Sequence, residues 1–319
     1  MKVGIVGTGL MGLPMALQMQ GQTLADEAAS PIEVIAWNRT DEKLEPLLEA
    51  GVAIASSPTE LFQQADVIIL MLSDGVAIRE LLFPANPPAN APSTDLSAEE
   101  SEAATPPLHS YTFIQMGTIA PSESRELLSD ILAAGGDYLE APVLGSIPQV
   151  KSGTLQVMVG GTVAQFEEWR SLLQLLGEPL YIGMVGSAAA LKLALNQLIG
   201  SLTTAFAQSL RFVQQQEVPV DTFMDVLRES ALFAPTFDKK LERMLDQNFE
   251  NPNFPSKHLL KDIRLFLQEA RAEGLRVDSV EGVRQILEAT CNQGLADADY
   301  SALSAVLQFS ETDETSPKE

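Results

Sequence analysis

The chain has 319 residues, too many for one ordinary core and suited to two domains. Its 43 acidic and 20 basic side chains leave a formal charge of −23, which makes nucleic acid and anionic membranes unsuitable partners. One cysteine excludes an internal disulfide, and two histidines leave a transition-metal site without its usual ligands, so no metal is expected. No run of about 18 apolar residues reads as a membrane span. The start, Met1-Lys2-Val3-Gly4-Ile5-Val6-Gly7, lacks the apolar stretch of a secretory signal, and the expected location is the cytoplasm. So acidic a surface repels anionic small molecules at long range. An anion site must therefore be built locally, from a few placed cations and backbone N–H groups.

The first half alternates apolar runs with helical patterns, as βα units on a parallel sheet do. Strands are expected at Lys2–Val6, Glu33–Trp37, Val67–Met71, Thr112–Met116 and Tyr138–Ala141, with a short one in Gly51–Ala55. Helices follow at Met11–Gln20, Asp41–Ala50, Pro58–Gln64, Val76–Leu82 and Pro121–Ala134, and then strand Leu155–Gly160 leads into helix Val163–Leu176. From Ala188 to Val213 the pattern is one long, largely apolar helix. Helical segments continue at Val220–Glu229, Thr236–Leu245, Ser256–Ala272, Val280–Asn292 and Tyr300–Phe309. The expected fold class is an α/β Rossmann domain, doubly wound on a mostly parallel sheet, followed by an all-α domain with a long interdomain helix. The boundaries are 1–184 for the first domain and 185–309 for the second. Pro84–Pro107, rich in Pro, Ala, Ser and Glu, reads as a surface insertion, and 310–319 as a polar tail.

Gly7-Thr8-Gly9-Leu10-Met11-Gly12 fits G-x-G-x-x-G after a strand and at the start of a helix. Gly7 permits the tight turn, Gly9 lets a pyrophosphate approach the backbone, and Gly12 lets helix and strand pack closely. The phosphates would sit on the N–H groups of the helix start, around Leu10 and Met11. An ordinary glycine-rich turn is the bland alternative. The second strand ends Trp37-Asn38-Arg39-Thr40, with no carboxylate before Asp41. Rossmann domains selective for NAD place Asp or Glu there for the ribose hydroxyls. Arg39 instead suits a 2′-phosphate, so NADP is expected, with NADPH preferred over NADH. A solvated surface arginine is the competing reading.

Gly7-x-Gly9-x-Met11-Gly12-x-Pro14-Met15-Ala16 resembles the signature of the β-hydroxyacid dehydrogenase family, and the resemblance continues to about residue 308. It implies that Met71-Leu72-Ser73-Asp74 crosses the cofactor. It also implies that Thr118, in Gly117-Thr118-Ile119-Ala120-Pro121, lies near the nicotinamide and substrate; Gly117 departs from the family's serine. Glu140-Ala141-Pro142-Val143-Leu144-Gly145-Ser146 is similar to the family's substrate-binding Asp-Ala-Pro-Val-Ser-Gly-Gly, with Leu144 for serine and Ser146 for glycine. N–H groups around Gly145 and Ser146 would hold a substrate carboxylate; a plain strand-to-loop turn is the alternative.

Lys192 and Asn196 are four apart and share one face of the long helix. The family resemblance makes Lys192 the catalytic residue and Asn196 its orienting neighbour. A lysine snorkelling from a buried helix is the plainer reading. Lys261-Asp262 resembles the family's pair on a segment closing on the cofactor, with Lys261 contacting the dinucleotide or substrate and Asp262 holding the polar network of the site. A solvated helix face is the alternative.

These features imply hydride transfer between NADPH and a small carboxylate-bearing aldehyde or 2-oxo acid, or its hydroxyacid, of glyoxylate/succinic semialdehyde type. Dehydrogenation of 3-hydroxyisobutyrate or tartronate semialdehyde type is the runner-up. A non-catalytic dinucleotide-binding partner protein is the alternative of a different class. The apolar helix Ala188–Val213 leads us to expect a homodimer or higher homo-oligomer through the helical domain.

Overall fold

The computed structural model describes residues 1–24, 31–84 and 108–307. Most of the expected insertion and all of the expected tail lie outside the described residues. Two compact units result, Met1–Lys192 and Leu193 onwards.

The first unit runs β1 (Lys2–Val6), α1 (Gly12–Met19), β2 (Glu33–Trp37), α2 (Glu45–Glu49), β3 (Ala53–Ile54), α3 (Pro58–Gln64), β4 (Val67–Leu70) and α4 (Gly75–Leu82). It continues with β5 (Thr112–Gln115), α5 (Pro121–Ala133), β6 (Asp137–Glu140), β7 (Val143–Leu144), α6 (Ile147–Ser152), β8 (Leu155–Gly160), α7 (Val163–Gln174) and β9 (Gly177–Gly183). The sheet order is β3-β2-β1-β4-β5-β6-β8-β7, with β9 on β8. Strands β1 to β6 pair in parallel, while β8 runs antiparallel to β6 and β7. Both faces are covered. Val67 and Ile69 of β4 join one apolar cluster and Ile68 and Leu70 the other. Such two-sided burial explains why these strands read as unbroken apolar runs. The strand order reverses between β1 and β4, where doubly wound sheets bind ligands at their carboxyl ends.

Helix α8 (Ser187–Gln215) has 29 residues, and the division between the two units falls inside it. The second unit adds α9 (Val220–Arg228), α10 (Pro235–Asp246), α11 (Ser256–Ala272) and α12 (Asp278–Thr290). Its core gathers Phe206, Phe237, Leu259, Ile263 and Leu287, with the Phe206 and Phe237 rings stacked 4.7 Å apart.

The short strand β7 is not expected from the sequence, and four further differences have a local cause. The Asp41–Ala50 helix is broken into a 3-10 turn (Asp41–Lys43) and α2, where Pro46 removes a donor and prevents one continuous ladder. Strand β9 is not expected from the sequence because Gly177 and Pro179 favour loop; among the described residues it pairs only with β8, and an edge strand tolerates proline. Helix α6 is an element the sequence expectations do not include; Ser146 and Gln149 form its capping box and Gly153 ends it at φ 63°. The last expected helix is a 3-10 segment, Tyr300–Val306, within the described residues.

One ion pair anchors this 3-10 segment. Lys240 of α10 places its ammonium 2.8 Å from both carboxylate oxygens of Asp299, whose side chain is wholly buried. The same ammonium lies 4.2 Å from the centre of the Tyr300 ring. Burial pushes the Lys240 pKa down, and its bonds to Asp299 oppose that shift. Removing one partner of a buried pair leaves a desolvated charge uncompensated. Lys240→Ala is therefore expected to cost roughly 3–5 kcal/mol in urea unfolding. A loss within about 1 kcal/mol would show that the pair behaves as an exposed one.

Candidate active site

The glycine-rich turn lies at the β1–β4 reversal. Gly7 has φ 94°, and a Cβ added there would lie 2.4 Å from the Met71 carbonyl oxygen. A Cβ on Gly12 would lie 1.9 Å from the Gly7 carbonyl oxygen, so helix α1 meets the strand end with no room for a side chain. Gly9 differs: a Cβ there meets nothing within 4 Å. Packing within the protein demands glycine at positions 7 and 12 but not at 9. That leaves backbone open for a ligand to approach, as a pyrophosphate requires. Leu10 is exposed and Met11 half-buried at the head of α1.

At the neighbouring strand end, the Thr8 N–H donates to Asn38 Oδ1 at 3.1 Å, and Asn38 Nδ2 donates to the Thr40 carbonyl at 2.9 Å. Asn38 thereby ties the glycine turn to the Asn38-Arg39-Thr40 turn. Arg39 and Thr40 are both exposed. The first carboxylates after β2 belong to Asp41 and Glu42, in the 3-10 turn that follows.

Two further loops follow β4 and β5. The Met71 N–H donates to the Val6 carbonyl at 2.8 Å. Ser73 Oγ donates to Asp74, whose other oxygen caps α4 through the Ala77 N–H, each at 2.8 Å. Ser73 is exposed and Leu72 half-buried. A Cβ on Gly117 would lie 2.5 Å from the Leu72 carbonyl oxygen, which explains why glycine stands where the family has serine. Thr118 is half-buried just before Pro121 opens α5.

After β6 the chain turns through Leu144, Gly145 and Ser146. Gly145 is exposed at φ 134°, a conformation open to glycine. Both the N–H and the hydroxyl of Ser146 donate to Gln149 Oε1 at 2.9 Å. The Ser146 donors expected to meet a substrate carboxylate are thus engaged by a carboxamide oxygen of the same loop. Gln149 carried a visible signal, the S-x-x-Q spacing of a capping box, that the sequence reading passed over.

Lys192 is half-buried in the second turn of α8. Asn196, four residues on, is almost wholly buried and donates through Nδ2 to Asp262 Oδ2 at 2.6 Å. Lys261 lies 3.0 Å from the other Asp262 oxygen. Asn196, Asp262 and Lys261 therefore form one polar cluster in the second unit. His258, on the same helix, has its pKa pushed down, mainly by burial and then by Lys261 and Lys257.

Sequence reasoning gave no role to Glu140, the last residue of β6. It is 1% exposed. Its Oε1 accepts from the backbone N–H groups of Gly186, Ala188 and Ala189 at 2.8, 2.8 and 3.2 Å, at the start of α8. Its Oε2 accepts from Ser124 Oγ at 2.5 Å, and Ser124 also bonds the Tyr138 hydroxyl at 2.8 Å. Burial pushes the Glu140 carboxyl up from the ordinary range, while these four donors pull it back. Nothing in its residue type announces such contacts, because its partners are backbone groups some 46 to 49 positions away.

The family model for the NAD-binding domain of 6-phosphogluconate dehydrogenase matches residues 2–186, and that for the NAD-binding region of NADP-dependent 3-hydroxyisobutyrate dehydrogenase matches residues 186–307. Glyoxylate/succinic semialdehyde reductase 1 of Arabidopsis thaliana is 28% identical across 97% of this chain and 99% of its own length. The 2-hydroxy-3-oxopropionate reductase of Escherichia coli is likewise 28% identical, across 97% and 98%. The solved 3-hydroxyisobutyrate dehydrogenase of Mycobacterium tuberculosis superposes with a TM-score of 0.77, at 23% identity over 97% of this chain and 99% of that one, and shares the fold. Two matching family models covering both units, on a glycine turn built for a dinucleotide, lead to one conclusion: the chain belongs to the β-hydroxyacid dehydrogenase family and is an NAD(P)-dependent oxidoreductase.

Proposed function

We propose that the protein is an NADPH-preferring reductase of small aldehydes or 2-oxo acids that carry a carboxylate, the glyoxylate/succinic semialdehyde type. The observation that carries this reading is Lys192, a half-buried amine set in the otherwise apolar stretch Ala188–Leu195 near the start of α8. Gly7, Gly9, Leu10, Met11 and Gly12 would hold the cofactor's pyrophosphate, with Met71, Leu72, Ser73 and Thr118 bordering it and Lys261 completing the contacts. The nicotinamide supplies the hydride when bound. A carbonyl under reduction gathers negative charge on its oxygen; the Lys192 ammonium stabilises that charge and returns a proton to it. Asn196, held by Asp262, orients the polar groups beside it. The substrate carboxylate takes the turn Leu144–Ser146, displacing the Gln149 carboxamide from the Ser146 donors. Relatives named for glyoxylate/succinic semialdehyde and for 2-hydroxy-3-oxopropionate support the substrate class.

NADPH preference rests on Arg39. It is exposed beside a turn pinned by Asn38, and no carboxylate lies between the end of β2 and Asp41. A guanidinium binds a 2′-phosphate bidentately and stacks on the adenine face. We also propose a homodimer through the helical unit, where Leu198, Leu202 and Phe212 of α8 are exposed by 50%, 38% and 63%. Sedimentation equilibrium of the full chain is expected to give twice the chain mass, and a monomer at micromolar concentration would end that reading.

Arg39→Ala is expected to weaken NADPH binding by about 1.5–3 kcal/mol while leaving NADH nearly unchanged. Equal losses for both cofactors in fluorescence titrations would defeat the assignment. Lys192→Ala is expected to slow single-turnover reduction of glyoxylate or succinic semialdehyde by roughly 10²–10⁴-fold, with NADPH affinity preserved. Lys192→Arg restores little, because guanidinium holds its proton too strongly. Near-normal hydride transfer in the alanine variant with any good substrate would return Lys192 to a structural role.

A further inference from the structure

Glu140 is a buried carboxylate that the proposed chemistry does not use. It occupies the junction of three segments expected to build the site. Its own strand β6 runs directly into the Leu144–Ser146 turn. Its Oε2 is bonded to Ser124, in the first turn of the helix that follows Thr118. Its Oε1 takes three N–H groups at the start of α8, the last belonging to Ala189, three residues before Lys192.

The arrangement fits no simple packing role. The first N–H groups of a helix have no intrahelical partners, and the helix dipole favours negative charge there. A buried carboxylate satisfies both demands, but only when its own desolvation is repaid by several donors. Four donors reach it here, and Ser124 is in turn bonded to the buried Tyr138 hydroxyl. The fold also makes space for it. A Cβ on Gly160, in the adjacent strand β8, would lie 2.4 Å from Glu140 Oε1. Arg125 packs against the same turn, its guanidinium 2.5 Å from where a Cβ on Gly186 would stand. Three bonds from Glu140 define the start of α8 far more tightly than apolar contact does, because hydrogen bonds weaken steeply when misaligned, and the fourth, to Ser124, fixes the carboxylate itself.

We propose that Glu140 is a positioning residue for Lys192. Its carboxylate sets the placement of the first turn of α8 against the ends of β5 and β6, and so delivers the lysine ammonium to the carbonyl oxygen. The inference rests on the reading of Lys192 as proton donor. A displacement of about 1 Å at a reacting group, even from a distant change, can cost on the order of 100-fold in rate.

The test compares Glu140→Asp, Glu140→Gln, Ser124→Ala and Lys192→Ala in the full-length protein. NADPH fluorescence titration counts binding sites, and steady-state oxidation of NADPH with glyoxylate, expressed per site, gives kcat and KM. Glu140→Asp keeps the charge but withdraws it by one methylene. It is expected to lower kcat per site by roughly 10–100-fold, with KM for NADPH within about 2-fold of wild type. Glu140→Gln keeps the reach and is expected to retain more activity than Glu140→Asp. Ser124→Ala removes one of the four bonds and is expected to give a several-fold loss in kcat, again at constant KM for NADPH. It also serves if the Glu140 variants do not fold. Wild-type kcat per site in Glu140→Asp, or in Ser124→Ala where the Glu140 variants fail to fold, overturns the inference if Lys192→Ala is slow. So does a loss of activity that only follows the number of NADPH sites. Rapid turnover by Lys192→Ala removes the proposed function itself, whatever the Glu140 variants do.

Discussion

Space at the β1–β4 reversal is the constraint on which the rest of the molecule depends. Gly12 meets the carbonyl of Gly7, and Gly7 meets the carbonyl of Met71, at distances that no side chain survives. Strand β1, strand β4 and helix α1 therefore share one point of backbone contact. The helix start and both strand ends are aimed at the same place, where the chain offers N–H groups and little bulk. Gly9 shows the purpose of that economy, since its open side meets no neighbour among the described residues.

A second organising contact lies deeper. The chain carries a large excess of negative charge, yet it spends one carboxylate wholly inside the first unit. Burying an acid is unfavourable unless its lone pairs are filled. Here they are filled by the backbone of α8 and by Ser124. The start of α8 is thus occupied by the protein's own anion. On the proposed reading, a substrate anion is instead received by the turn after β7.

Much of the architecture was legible because it follows from periodicity and turn chemistry. The apolar runs of β1, β2 and β4, and the length of α8, are direct consequences of burial on two faces or one. The glycine turn was legible for a different reason: only glycine fits positions 7 and 12, and the spacing records it. What stayed hidden depended on partners remote in sequence. Strand β9 exists because β8 offers it an edge, not because Gly177–Gly183 favours extension. The link from Asn196 to Asp262 spans 66 positions, and the resemblance placed both residues near the substrate without pairing them. Glu140 stood in plain view beside the substrate-binding segment. Its role was illegible because three of its four donors are backbone groups, which every residue type possesses. Gln149 is the opposite case, where a local signal was present and was passed over.

The glycine at position 117 carries a consequence for motion. Because no Cβ fits between it and the Leu72 carbonyl, the loop after β4 and the loop after β5 touch main chain to main chain. Side chains can absorb a neighbour's shift by changing rotamer, but two backbones in contact cannot. The segments 71–74 and 116–120 are therefore mechanically coupled, and an adjustment in one is transmitted to the other. A dinucleotide settling against Leu72 and Ser73 would in the same movement set the position of Thr118. Cofactor arrival and readiness for substrate would then be one event rather than two, giving binding an order in time.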